Sequence, residues 1–162
     1  MIGDLSAARG APLHVFNFEV KFFEAQLTES GGGPELPLLE GAFAEVSGLE
    51  ATMEAKSIRE GGLNGFAHQR PGAVTFATVI FRRGVTRARD LARAFEVLAG
   101  GAYAKRLDVL IELRNGKGAA VLRFKLLRAL PVKFKAADLS ARATEVGVEE
   151  LHLVHEGLEP TA

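Results

Sequence analysis

Cysteine is absent from the 162-residue chain, which excludes a disulfide framework, a thiolate metal site and a cysteine nucleophile. Tryptophan is absent too and tyrosine occurs once, so the aromatic content is almost entirely the 11 phenylalanines. No apolar run approaches the roughly 18 residues of a membrane span, so membrane insertion by this chain is not expected. The first residues, MIGDLSAARGAPLHVF, lack the basic start, apolar core and small-residue cleavage site of a secretory signal. The expected place of synthesis and folding is a cytoplasm, with release only by lysis or as part of a particle. Net charge is also missing, since 20 Lys+Arg balance 20 Asp+Glu.

That balance is uneven along the chain. Residues 1–81 carry 5 bases against 10 acids, and residues 82–162 carry 15 against 10. Either the charges are scattered over a solvated surface, or acidic and basic patches meet across a subunit contact and set its register.

Sites of chemistry are equally scarce. The histidines stand at 14, 68, 152 and 155. His152 and His155, three apart on a strand, point to opposite faces and cannot share an ion without a bulge. The helical H-E-x-x-H pattern is missing, and neither a metal nor a cofactor is expected. GGGP, EGGLNG and NGKG lack the spacing of a P-loop or a G-x-G-x-x-G turn and are assigned to turns. Ser6, Ser30, Ser47, Ser57 and Ser140 all fall outside a G-x-S-x-G elbow. No catalytic residue is nominated. Residues 82–135 hold 14 bases against 4 acids, enough to raise nucleic-acid binding. No aromatic residues interleave with those charges to stack bases, so a solvated or subunit-facing strand face is the better expectation.

What is present is alternation. In VFNFEVKFFE (15–24), Phe16, Phe18, Val20 and Phe22 share one face, the mark of a half-buried strand. The glycine- and proline-rich loop 26–41 is long for a compact domain, an expected place for mobility or contacts. Residues 42–60 read as two extended segments broken at Ser47-Gly48. The second sets Ala51, Met53 and Ala55 against Glu50, Thr52, Glu54 and Lys56. Its apolar face is too small to bury much, so a sheet shared between subunits would give this strand partners.

After an Arg70-Pro71-Gly72 corner, residues 73–83 are apolar on both faces and predict a central strand. Leu91, Phe95 and Leu98 predict a helix over 87–99, with Thr86 as N-cap and Gly100-Gly101 as its stop. Arg87 and Arg89 would then sit at the disfavoured positive end of its dipole, a cost that an external acidic partner would offset. Residues 107–114 and 119–128 predict a hairpin turned by Asn115-Gly116. An irregular KFKAADLSA segment should follow Pro131. A last strand near 144–155 shifts phase at Glu149-Glu150, which predicts a bulge. The expected fold is mostly antiparallel β, a sandwich or small barrel with one flanking helix. The 162 residues fit a single domain, with 1–14 as a flexible arm.

Several segments taken in order resemble one family, the inner-tube proteins of contractile phage tails and extracellular contractile injection systems. They are FNFEV, AFAEVSGLEATMEAKSIREGG, RPGAVTF with FRRGVT, LDVLIEL, ALPVKFKAADLSA and EVGVEELHLVHEGL, spanning about residues 16 to 158. The chain departs from the family pattern in its longer loop 26–41 and in the missing tryptophan of the helix near 87–99. Both bear on whether it is the main tube protein or a tube-initiator or baseplate-proximal paralogue.

The resemblance implies a non-enzymatic subunit that forms stacked hexameric rings, with long hairpins joined into a barrel around a central lumen. Implied partners are other copies of the chain, a sheath protein, baseplate or spike proteins, a tube terminator and lumen cargo. The implied location is assembly in a bacterial cytoplasm, then a virion tail or released particle. Glu45, Ser47, Gly48, Glu60, Gly61 and Gly62 match the family's hairpin region and are expected at ring and stacking contacts; Arg87 and Arg89 are also expected at a subunit interface. The same glycines could instead only close turns inside one subunit. Alternatives are a type VI secretion-like ring that carries effectors, a small barrel enzyme and a monomeric ligand-binding barrel.

Overall fold

The computed structural model describes residues 13–25, 43–62, 65–87, 90–100, 105–142 and 144–161. The expected arm (apart from Leu13 and His14) and the loop 26–41 lie outside the described residues. Nine strands and one helix are described: β1 (Phe18–Glu24), β2 (Glu45–Ser47), β3 (Ala51–Ile58), β4 (His68–Phe76), β5 (Val79–Gly84), α1 (Asp90–Ala99), β6 (Leu107–Arg114), β7 (Ala120–Lys135), β8 (Val148–Val154) and β9 (Gly157–Thr161). Seven strands form one antiparallel sheet in the order β1-β6-β7-β8-β5-β2, with β9 also on β7. β3 and β4 form a separate two-stranded sheet. The expected class, mostly antiparallel β with one helix, is what is found.

The 16-residue β7 organises the large sheet. Its first part pairs with β6 and β9, and from Leu130 onward it pairs with β8. The exchange of partners occurs beside Arg128, whose φ is +50° and whose amide donates to Asp108 Oδ1 at 3.0 Å. Such a φ is uncommon outside glycine, and the nearby Asp108 carboxylate fixes it. From this bend the sheet curls until its ends approach. Phe22 of β1 and Phe81 of β5 have ring centroids 5.6 Å apart, and Phe43 lies within 5.9 Å of both. Val20, Val79, Leu107, Val109, Leu126, Leu151 and Leu153 complete a buried core. α1 presses Leu91, Ala94 and Leu98 into it, and Phe95 meets Phe134 of β7 at 6.4 Å.

Several boundaries differ from expectation, each for a local reason. The apolar stretch 73–83 is two strands in two sheets, parted at Ala77-Thr78. Arg70-Pro71-Gly72 is no corner but the middle of β4, where a register shift opposite Met53 and Ala55 admits the proline. Pro131 does not end β7, which runs on to Lys135 past a similar shift between Pro131 and Lys133. No bulge occurs at Glu149-Glu150 in the pairing with β5, which is continuous from Val148 to Leu153. The apparent phase slip arises because Glu149 points inward with Leu151 and Leu153. Its carboxylate accepts from buried Arg83 Nε at 2.7 Å, the pairing a buried charge requires.

α1 begins at Asp90, an acid well placed in the first turn, so Arg87 precedes the helix rather than opening it. Arg89 lies outside the described residues. Asn115-Gly116 is not a two-residue turn. The loop runs to Ala119, Gly118 takes φ +82°, and Asn115 Oδ1 accepts from the amides of Lys117 and Ala119 at 3.0 Å. β9 was not anticipated.

The contrast between core and hairpin is measurable. Phe81→Ala should cost about 3–5 kcal/mol in urea unfolding of the dispersed protein. Met53→Ala, at an exposed position of β3, should change stability by less than about 0.5 kcal/mol.

Candidate assembly surface

The β3–β4 hairpin leaves the large sheet at a tightly built root. β2 pairs with β5 through Glu45, Val46 and Ser47. The chain then turns at Gly48, whose φ is +86° and where an added Cβ would lie 2.2 Å from the Thr78 carbonyl oxygen. Only glycine fits such an approach. The Glu50 amide donates to the Gly48 carbonyl at 2.8 Å, and the Ala77 amide to the Glu50 carbonyl at 3.1 Å. Both legs of the hairpin are thereby tied where they leave the core. Phe76, the last residue of β4, has its ring centroid 5.1 Å from that of His155.

Beyond the root, all eight residues of β3 are exposed, as are seven of the nine in β4. Each strand pairs only with the other among the described residues, so both outer edges are open. At the tip, Glu60 faces His68 at 3.8 Å, and the exposed Phe66 meets the His68 ring edge-on at 5.5 Å. Gly62 has φ +95°, and no atom lies within 4 Å of the Cβ position at Gly61 or Gly62.

The nominated residues therefore fall into separate places. Glu45, Ser47 and Gly48 are at the root; Glu60, Gly61 and Gly62 are at the tip, roughly 25 Å away by strand rise. Arg87 is exposed in the turn before α1. Two contacts escaped sequence reading. The root contact of Phe76 with His155 carries no sequence signal, whereas the Arg83–Glu149 pair was visible as the broken alternation of β8.

Charge at the root is organised across strands. Arg82 Nη1 donates to Glu45 at 2.8 Å, and its Nε donates to Glu150 at 3.0 Å. Glu150 also meets His152 Nε2 at 3.0 Å. Hydrogen bonds that it donates to Glu45 first and Glu150 second hold the Arg82 guanidinium pKa above its ordinary value. His152, then Arg82, hold the Glu150 carboxyl below the usual carboxylate range. Other bases in the 82–135 stretch are likewise engaged. Arg123 and Arg114 bond to Glu112, Lys125 lies near Asp108, and Arg128 bonds to Glu156. Arg123 first and Arg114 next hold the Glu112 carboxyl low. Ion pairs rather than a free basic face thus take up much of that positive charge. Among the described residues no group of three or more His, Asp or Glu could hold a metal, and no helix is long and apolar enough to cross a membrane.

The described chain is thus a curled antiparallel sheet with one helix, carrying a hairpin whose outer edges are open among the described residues. The profile of the T4-like virus tail tube protein gp19 family matches residues 14–159, and the chain belongs to that family of structural tube proteins. A chain from the six-fold symmetrised anti-feeding prophage baseplate is similar at TM-score 0.80 and 26% identity, over 94% of this chain and 97% of that one. A chain from the extended sheath–tube complex of an extracellular contractile injection system has TM-score 0.70 and 20% identity, over 93% and 92%. A type six secretion system protein shares the fold at TM-score 0.51 and 9% identity, over 88% and 82%. Comparison with curated proteins gave no match.

Because Glu150 is held low in the folded state, its stabilising contribution is complete above the unfolded carboxylate range and is lost as pH falls through the folded value. Glu150→Gln should therefore lose less stability than the parent between about pH 5 and pH 3, followed by thermal melts across that range. Gly48→Ala should destabilise the fold, whereas Gly61→Ala should leave the melting temperature of the dispersed protein nearly unchanged.

Proposed function

We propose that the chain is a single tube-protein domain that forms six-membered rings, which stack into the inner tube of a contractile tail or injection particle. One observation carries this: a two-stranded hairpin with open edges and an entirely exposed β3. An isolated pair of strands is marginal in water, and open edges invite pairing with another chain. A neighbour's hairpin on each side supplies one of the missing edges, and repetition of that head-to-tail contact closes a ring. The six-fold symmetry of the similar baseplate structure supports the ring size.

The root residues Glu45, Ser47 and Gly48 set the angle at which the hairpin meets the next copy. The tip residues Glu60, Gly61 and Gly62, with Arg87 and Arg89, make ring and stacking contacts. The role is structural and not catalytic. Partners are other copies, a sheath protein that encloses the tube, baseplate or spike proteins, a terminator and cargo in the lumen. The tube is assembled in the bacterial cytoplasm and ends in a virion tail or an extracellular particle.

A second reading places this copy next to the baseplate, as a tube initiator. The baseplate chain is similar at 26% identity and TM-score 0.80, above the 20% and 0.70 of the sheath–tube chain.

Native mass measurement and negative-stain images of the purified protein test assembly. The expected species has six times the 17.3 kDa of one chain and is ring-shaped. A monomer at every concentration would contradict the proposal. Replacing Gly61 and Gly62 together by valine should abolish rings or tubes, since a β-branched residue resists the φ of +95° at Gly62. Tubes of normal length from that variant would remove the tip from the contact.

A further inference from the structure

Among the described histidines, only His155 has a ring nitrogen that is buried without a hydrogen-bond partner. The residue follows β8 directly, where the chain turns back into β9. Its Nδ1 lies 2.8 Å from the Gly157 carbonyl oxygen. A carbonyl can only accept, so Nδ1 carries the proton, and in the neutral ring Nε2 is a bare lone pair. The ring also meets that of Phe76, with centroids 5.1 Å apart. Phe76 is the half-buried end of β4, and the next residue, Ala77, donates its amide to the Glu50 carbonyl at 3.1 Å. The imidazole is therefore one wall of the place where the second leg of the hairpin leaves the body.

A second proton has no place in this seat. It would make Nε2 a charged donor with neither water nor an acceptor in reach, and such a donor costs far more than an unmet neutral acceptor. The face of Phe76 offers a cation some attraction, but less than the lost charged hydrogen bond. Neighbouring acids are engaged elsewhere. Glu156, next in the chain, receives Arg128 Nε at 2.8 Å and lies 3.9 Å from Arg106 Nη1. Glu50 at the hairpin root accepts from Thr52 Oγ1, and Glu159 of β9 stands opposite Lys125 of β7. Where β4 ends and β5 begins, the residues are Phe76, Ala77, Thr78 and Val79, none of which ionises at ordinary pH. By contrast, His68 and His152 have carboxylates at 3.8 and 3.0 Å, where an added proton gains an ion pair.

We propose that His155 is a pH-sensitive latch on the hairpin root. Neutral, it stays seated on the Gly157 carbonyl and covers Phe76. Protonated, it turns out to water, gives up both contacts and leaves Phe76 and the base of β4 loose. The proton costs the seated ring a hydrogen bond that water supplies to the released one, so acid favours release. Imidazole ordinarily changes charge between about pH 5 and pH 8, and the latch works within that range. The hairpin is thus held in its direction near neutral pH and slackened in acid, in a single subunit and before any contact with another.

Amide hydrogen exchange in dispersed subunits tests the latch without calling on assembly. Protection factors, corrected for the intrinsic pH dependence of exchange, are compared at about pH 7.5 and about pH 5.5; the lower value stays above the range in which the Glu150 contribution is lost. The Ala77 amide should lose at least about threefold in protection at the lower pH, while core amides such as that of Leu151 keep theirs. His155→Phe leaves a ring against Phe76 that cannot take a proton, and it should abolish the change. Combining His14→Gln, His68→Gln and His152→Gln leaves His155 as the only histidine, and that variant should retain the change. Should His155→Phe fail to fold, the combined variant still decides. Equal Ala77 protection at the two pH values in the parent, a fall that survives in His155→Phe, or a fall that disappears from the combined variant would overturn the latch. Each of these results leaves the ring proposed above standing, since none of them depends on assembly.

Discussion

A strand edge carries backbone donors and acceptors that need partners, and the β3–β4 hairpin has two such edges with no other strand beside them among the described residues. Much else in the molecule is arranged around holding that hairpin out. The seven-stranded sheet curls about Phe22, Phe43 and Phe81 to give a body that needs no contribution from β3 or β4. The root is where body and hairpin meet, and its backbone is tightly constrained. Gly48 passes so near the Thr78 carbonyl that a methyl group would not fit, and the Glu50–Ala77 hydrogen bond ties the two legs together. The hairpin's direction is therefore a property of the body.

Energetically the two parts answer to different partners. The body buries large apolar side chains, and each one lost costs several kcal/mol. The hairpin offers alanines, a valine and a methionine, and gains little until something covers them. Ion pairs stitch the strands next to the root, from Glu45 through Arg82 and Glu150 to His152. Exposed pairs of this kind contribute little stability individually; their geometry, across β2, β5 and β8, sets the relative position of the strands that carry the hairpin. Arg83 and Glu149 do the same from the buried side.

Much of this was legible in the residues. The alternation in FNFEVKFF and LDVLIEL, and the small-residue face of Ala51, Met53 and Ala55, predicted the strands and singled out the one with too little to bury. What was missed shares one physical cause: local pattern does not encode which sheet a strand joins. The run AVTFATVIFRR has apolar residues on both faces, yet half of it is exposed hairpin and half belongs to the core strand β5. Pro71 and Pro131 look like strand breaks, but bulges accommodate both. Glu149 broke an apolar alternation and was mistaken for a bulge, because its buried partner Arg83 lies 66 residues away. For the assembly surface, the root and tip glycines could be named in advance. Their separation, and the contact of Phe76 with His155, could not. The family itself was reached by resemblance of ordered segments, not by periodicity or composition.

Amide hydrogen exchange over residues 51–76 tests the central claim most directly, because it reads the hydrogen-bonding of the edges themselves. The account predicts fast exchange along the outer edges of β3 and β4 in dispersed subunits and strong protection of the same amides in assembled particles. Equal exchange in the two states, with protection appearing only in other parts of the chain, would show that neighbours do not complete the hairpin.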